Sequence, residues 1–190
     1  MATVLIIGDG PAGLSAALLL AKNHHGSVVF GTDTTPLHHA QLGNYLGVES
    51  MRGSEFQAMA RKQVEAAGAR TRDEAVREVL QDDKGFIVRS ESGEWHGDYV
   101  ILAAGKASQR LARQLGIAVG EGRLTVDGDQ RTTLDRVYAV GRVTRPERSQ
   151  AIISAGAGAA AAIDILSRET GRDFHDWDNA PDHDHDHPDL

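Results

Sequence analysis

Residues 3 to 7 (Thr-Val-Leu-Ile-Ile) form an unbroken β-branched and apolar run with no polar alternation. That pattern predicts a parallel strand covered on both faces. A glycine turn follows. Pro11 to Asn23 then reads as a helix, with proline in its first turn and Leu14, Leu18 and Leu19 as an apolar stripe. Val28 to Phe30 is a second buried strand. Strand, glycine turn, helix and strand in that order open a doubly wound sheet.

The pattern then loosens. Thr32 to Pro36 reads as a loop, and His38 to Leu46 is polar and aromatic without a period. Gly53 to Ala67 is a helix in which Phe56, Met59, Ala60 and Val64 recur at three and four residues, with Ser54 as N-cap and Gly68 closing it. Three strands, Val76 to Leu80, Gly85 to Ser90 and Trp95 to Leu102, are separated by Asp82-Asp83-Lys84 and Ser92-Gly93, the turn spacing of an antiparallel meander. Ser108 to Leu115 is a short helix, Arg123 to Val126 a short strand and Val137 to Val140 a buried strand ending at Gly141. Gln150 to Ser167 is a long alanine-rich helix. The expected fold is α/β: a Rossmann-like parallel sheet with helices, plus a three-stranded antiparallel meander over about residues 75–102. One domain is expected over residues 1–170, with a polar Asp/His-rich tail over 171–190.

Composition narrows the functions. The formal charge of −7 argues against nucleic acid or an anionic membrane as a partner. No basic N-terminal region with a cleavage site is seen, and no apolar run is read as reaching the roughly 20 residues of a membrane span, so a cytoplasmic protein is expected. The chain has no cysteine, which excludes disulfides, thiolate metal sites and thiol catalysis by its own residues. Any redox chemistry must come from a cofactor or a partner.

The Gly8-Asp9-Gly10-Pro11-Ala12-Gly13 segment gives that cofactor a place. Gly8 permits the tight turn out of the strand, Gly10 lets a pyrophosphate approach the backbone, and Gly13 allows the helix to pack closely on the strand. The helix start offers amides and a partial positive charge. Asp33, about 20 residues on, is the candidate acceptor for adenosine ribose hydroxyls. It lies three residues beyond the strand, so capping its own loop is the alternative.

Residues 8–17 together resemble the FAD-binding start of thioredoxin reductases and related pyridine nucleotide-disulfide oxidoreductases. Four further segments are similar in order: Asn44-Tyr45-Leu46-Gly47, with Gln63 to Ala69 after it; Tyr99 to Gly105; Thr132 to Gly141; and Ser149-Gln150-Ala151 with Ala155 to Ala160. The resemblance covers residues 3 to 168. It implies FAD as cofactor, with Gly8, Gly10, Pro11, Ala12, Gly13, Asp33, Asn44, Ala104, Gly105, Gly141, Arg142, Ser149, Gln150 and Ala151 around it. It also implies that the Gln150 helix aims its positive end at the flavin ring.

The departures are equally specific. The family places an NADPH-binding domain between the Ala-Thr-Gly turn and the second flavin motif. Here only Lys106 to Arg131 separate them, with no second G-x-G-x-x-G. The family's Cys-x-x-Cys pair is absent. Its Gly-Asp in the second flavin motif is Gly141-Arg142 here, and arginine donates but cannot accept. Arg142 either pairs with pyrophosphate or reduced flavin, or turns to solvent or to an acid such as Asp127. His38 and His39 fall where the family's chain passes the flavin, so they are either proton shuttles or surface histidines.

In the tail, His175 and Asp182 to His187 either bind Zn²⁺ or Ni²⁺ or form a solvated terminus, and no metal site is assigned. Phe174 and Trp177 are candidates to anchor its start. The expected function is a flavin-dependent oxidoreductase that is not itself a thioredoxin reductase, forming a homodimer and taking electrons from a redox partner protein, a diffusible reductant or transient NAD(P)H. The alternative is a non-catalytic FAD carrier or regulator.

Overall fold

The computed structural model describes residues 1–176. The chain opens with β1 (Thr3–Ile7), α1 (Pro11–Lys22) and β2 (Gly26–Gly31). A 3₁₀ turn at Pro36–His39 leads to β3 (Gln41–Leu42), β4 (Met51–Arg52) and α2 (Gly53–Ala66). Then come β5 (Arg70–Asp73), β6 (Glu78–Gln81), β7 (Phe86–Arg89), β8 (Glu94–Gly97) and β9 (Tyr99–Leu102). The last elements are α3 (Lys106–Gln114), β10 (Val119–Gly120), β11 (Arg123–Leu124), β12 (Val137–Ala139) and α4 (Ala151–Thr170).

Five strands make a parallel sheet in the order β12-β9-β1-β2-β5, and β6, β7 and β8 form an antiparallel sheet beside it. Alternate side chains of each strand enter opposite cores. Val4, Ile6, Val29 and Ile101 join Leu14 and Leu20 of α1 and Ile165 of α4. Leu5, Ile7, Phe30 and Leu102 join Val79, Phe86 and Val88 of the meander and Leu111 of α3. Val4, Leu5 and Ile6 are wholly buried, each contributing about 2 kcal/mol through lost apolar exposure. That two-sided burial is why β1 reads as a continuous apolar run.

Four local expectations are corrected. The α1 stripe is Leu14, Ala16, Ala17 and Leu20; Leu18 and Leu19 are only half-buried, because the alanines let α4 sit flush on α1. The segment Trp95 to Leu102 is two strands. Asp98 donates its backbone N–H to Thr3 O and accepts the Thr3 N–H on Oδ2 (2.8 and 2.7 Å), and there the chain passes from the meander to the sheet centre. The N-cap of α2 is Arg52, not Ser54: its N–H donates to the Glu55 carboxylate (3.2 Å). Gly53 is already in the helix, where a Cβ would meet Leu37 O at 1.9 Å. Finally, α4 is long and apolar enough by length and composition to cross a membrane; here its inner face is covered by α1.

Small residues decide how α4 lies. At Gly158 a Cβ would stand 1.9 Å from Ala12 O, so helix backbone rests on helix backbone. The C-terminal half of α4 is latched by polar contacts. Asp164, buried, accepts from Tyr138 Oη (2.5 Å) and from Arg131 Nε (2.8 Å), and Tyr99 Oη donates to Glu169 (2.9 Å). Burial and the Glu169 contact push the Tyr99 phenol up to about 12. Burial works against the Asp164 charge, but the bonds from Arg131 and Tyr138 prevail and its pKa is lowered. After α4, Gly171 takes a left-handed conformation and the chain folds back. Phe174 packs on the core, its N–H donates to Ser167 Oγ (3.0 Å), and Asp176 accepts from Asn23 Nδ2 (3.2 Å). Trp177 and the Asp182 to His187 run lie outside the described residues. Among the described residues no His/Asp/Glu group is arranged to hold a metal.

Two stability tests follow from this packing. Gly158→Val should cost about 1–3 kcal/mol in urea unfolding by forcing α4 off α1, whereas Gly156→Ala, with open space around its position, should stabilise by about 0.5–1 kcal/mol. Because the folded pKa of Asp164 is depressed, its contribution is present above the unfolded aspartate value and is lost as pH falls through the folded one. Asp164→Asn should therefore cost on the order of 1–3 kcal/mol at neutral pH and flatten the stability loss below about pH 4, read from unfolding curves across pH.

Candidate functional site

The C-terminal ends of β1, β2, β9 and β12 open on one edge of the sheet, where such folds place their ligands. A cavity of about 780 Å³ lies there, within the range of small-molecule and cofactor sites. Its floor is the glycine turn. Gly8 has φ +120°, and a Cβ there would strike the Ala103 backbone at 2.5 Å. A Cβ on Gly13 would lie 1.9 Å from Gly8 O, so the helix start is pressed onto the turn. Gly10 is different. A Cβ there would meet nothing closer than Thr35 Oγ1 at 3.4 Å, so its open side faces the cavity.

Three helix starts converge on this space. Gly10 caps α1, Gly105 caps α3 and Gln150 caps α4; none makes a side-chain capping bond, and all three residues line the cavity. Their amides and partial positive charges favour an anionic ligand. Asn44 Nδ2 donates to Gln150 Oε1 (3.0 Å), joining two cavity-lining residues 106 positions apart in sequence.

Of the residues singled out from sequence, Gly8, Gly10, Pro11, Ala12, Asn44, Ala104, Gly105, Gly141, Arg142, Ser149, Gln150 and Ala151 line the cavity. Gly13 lies behind the turn it supports. Asp33 does not line the cavity: its carboxylate accepts at 2.9 Å from His38 Nε2, and its φ is +51°. His38 is turned to that bond and His39 is exposed, and neither lines the cavity. Arg142 is exposed at the rim, while Asp127 faces Arg131 instead. The small residues of α4 serve first its contact with α1.

Sequence reasoning passed over Asp9. It is buried, its carboxylate Oδ2 accepts from Arg61 Nη1 (2.7 Å) and from the Asp33 N–H (3.0 Å), and its carbonyl accepts from Gln57 Nε2 (2.6 Å). Arg61 also pairs with Asp73. Burial disfavours the Arg61 charge, but Asp73, Asp9 and Asp33 outweigh it and its pKa is raised. Lys106, the residue after the Ala103-Ala104-Gly105 turn, also lines the cavity. The signal for Asp9 was an acid inside the glycine turn, coupled to a glycine, Gly31, at the end of β2.

Residues 46–160 match the family model for pyridine nucleotide-disulphide oxidoreductases. The chain is 34% identical over 110 residues to thioredoxin reductase tcpT of Claviceps purpurea (strain 20.1), covering 53% of this chain and 33% of that protein. It is 25% identical over 201 aligned residues to the thioredoxin reductase of Bacillus subtilis (strain 168), covering 91% and 64% respectively. The chain thus spans less than two thirds of either curated relative. Among solved structures, the fold is similar to the atypical thioredoxin reductase TRi of Desulfovibrio vulgaris Hildenborough (TM-score 0.81, 20% identity, 90% of this chain and 99% of that one). It is also similar to a ferredoxin-flavin thioredoxin reductase of Clostridium acetobutylicum (TM-score 0.78, 18% identity, 90% and 99%). With its parallel sheet, its glycine turn and a family match over more than half its length, the chain belongs to the pyridine nucleotide-disulphide oxidoreductase family.

Proposed function

We propose that this chain is an FAD-binding redox unit, a flavin-dependent oxidoreductase whose electrons are exchanged with a partner protein or a diffusible donor. The observation that carries the reading is the open side of Gly10 at the start of α1, within a cavity that two further uncapped helix starts also face. That arrangement suits a pyrophosphate at the glycine turn. The residues present fit the group: Gly8, Gly10 and Ala12 would hold the pyrophosphate, and Asn44, Ser149, Gln150 and Ala151 would flank the ring. Flavin, when bound, supplies one- and two-electron transfer. The chain's own contribution is to bind and orient it, and the N-terminus of α4 favours negative charge on the ring.

Between β9 and β12 the described residues form only α3, the β10–β11 pair and loops, and the chain has no cysteine. We therefore place its activity apart from thioredoxin reduction by its own thiols. The ferredoxin-flavin thioredoxin reductase among its structural neighbours is named for a protein electron donor, and a protein donor is the one we favour here. One observation favours the second reading, a non-catalytic FAD carrier or regulator: among the described residues no histidine lines the cavity, and the chain has no cysteine. Glu74, Lys106 and Glu147 do line the cavity, so a proton for the ring can come from these side chains as well as from solvent, substrate or partner.

The purified protein should show flavin absorbance near about 375 and 450 nm. Bleaching on anaerobic titration with NADH or NADPH identifies a diffusible donor, and persistence directs the search to reduced ferredoxin-type proteins. Gly10→Val should fill the open side of the turn and give a folded, colourless protein. Retained yellow colour in that variant, or a wild-type protein that cannot be reconstituted with FAD, would overturn the site.

A further inference from the structure

In dinucleotide sites of this architecture, an acid about 20 residues beyond the glycine turn accepts the adenosine ribose hydroxyl. Here β2 ends on Gly31 instead. The space above that glycine is filled. A Cβ built at Gly31 would fall 2.0 Å from Asp9 Cγ and 2.4 Å from Asp9 Oδ1. The carboxylate that the strand end lacks is therefore supplied from within the glycine turn itself.

The Asp9 side chain is held for such a task. It is buried, and both of its protein donors, Arg61 Nη1 and the Asp33 N–H, fall on Oδ2. No hydrogen bond from the described residues reaches Oδ1, although Asp9 and Gly31 both line the cavity. A carboxylate oxygen beside the cavity with lone pairs to spare can accept a hydroxyl from a ligand. Arg61, itself anchored by Asp73, fixes the carboxylate from behind and acts as a positioning residue.

We propose that Asp9 is the ribose-reading acid of this chain and accepts the 2′-hydroxyl of the bound adenosine through Oδ1. This rests on the dinucleotide reading above. It also gives the site a selectivity: the Asp9 charge repels a 2′-phosphate, so the site takes adenosine dinucleotides of the FAD or NAD type rather than 2′-phosphorylated ones.

The test is calorimetric titration of the full chain, freed of retained flavin, with ADP, 2′-deoxy-ADP and adenosine 2′,5′-bisphosphate. Wild type should bind ADP about 10- to 100-fold more tightly than 2′-deoxy-ADP, the worth of one hydrogen bond to a charged acceptor, and should bind the bisphosphate more weakly than ADP. Asp9→Ala should bring ADP and 2′-deoxy-ADP within about twofold of each other. Gly31→Glu alone should clash with Asp9 and lose binding, and the exchange Asp9→Gly with Gly31→Glu should restore the preference for ADP. A folded Asp9→Ala protein that keeps the full preference overturns the assignment. So does a wild type that binds ADP and 2′-deoxy-ADP equally, a result that needs no variant and leaves the dinucleotide reading standing. A wild type that binds neither ADP nor FAD brings down that reading and the assignment with it.

Discussion

Three backbone-on-backbone contacts carry the architecture. Gly13 lies against Gly8, Gly8 against Ala103, and Gly158 against Ala12, each closer than any side chain allows. Together they fix the start of α1 between the end of β1, the end of β9 and the N-terminal half of α4. The cavity lies where these segments meet at the sheet edge, and a helix start leaves amides without intrahelical partners. A single methyl group at Gly8, Gly13 or Gly158 would separate layers that the buried alanines of α1 and α4 otherwise hold in contact.

Much of the fold was legible from residue pattern. The buried run of β1, the glycine turn, α2 with its Gly68 stop and the meander turns were each readable because local chemistry and tertiary burial agree there. Where they disagree, the pattern misled. The edge strand β5, Arg-Thr-Arg-Asp, pairs with β2 and yet carries no apolar signal, since an edge is faced by solvent and protected by charge. The break at Asp98 sits in a nearly continuous β-rich stretch, and only its two bonds to Thr3 reveal that one strand has become two. Leu18 and Leu19 satisfied helical spacing, but the α1–α4 contact selects alanine over leucine for the closest face.

The lining of the cavity was legible where backbone forms it. The glycine turn, the Ala104-Gly105 and Gly141 strand ends and the start of α4 all line the cavity, and each is a glycine turn or helix start that local sequence signals. Side-chain roles were harder to read. Asp33 sits at the right distance in sequence, but its backbone is left-handed and its carboxylate meets His38 within the loop. Asp9 was passed over, because nothing in sequence says which way the variable residue of that turn faces.

The pairing of α1 with α4 has a consequence for how the chain acquires its structure. The two helices, Pro11–Lys22 and Ala151–Thr170, lie far apart in sequence, and the central strand β1 takes its neighbours from residues 26–31 and 99–102. Contacts of such long sequence separation form slowly, since loop closure precedes their reward. During synthesis the alanine face of α1 is made early and stays wet until α4 emerges. A polypeptide interrupted before residue 151 leaves that face and the start of α1 uncovered, a species prone to association with itself and to capture by chaperones.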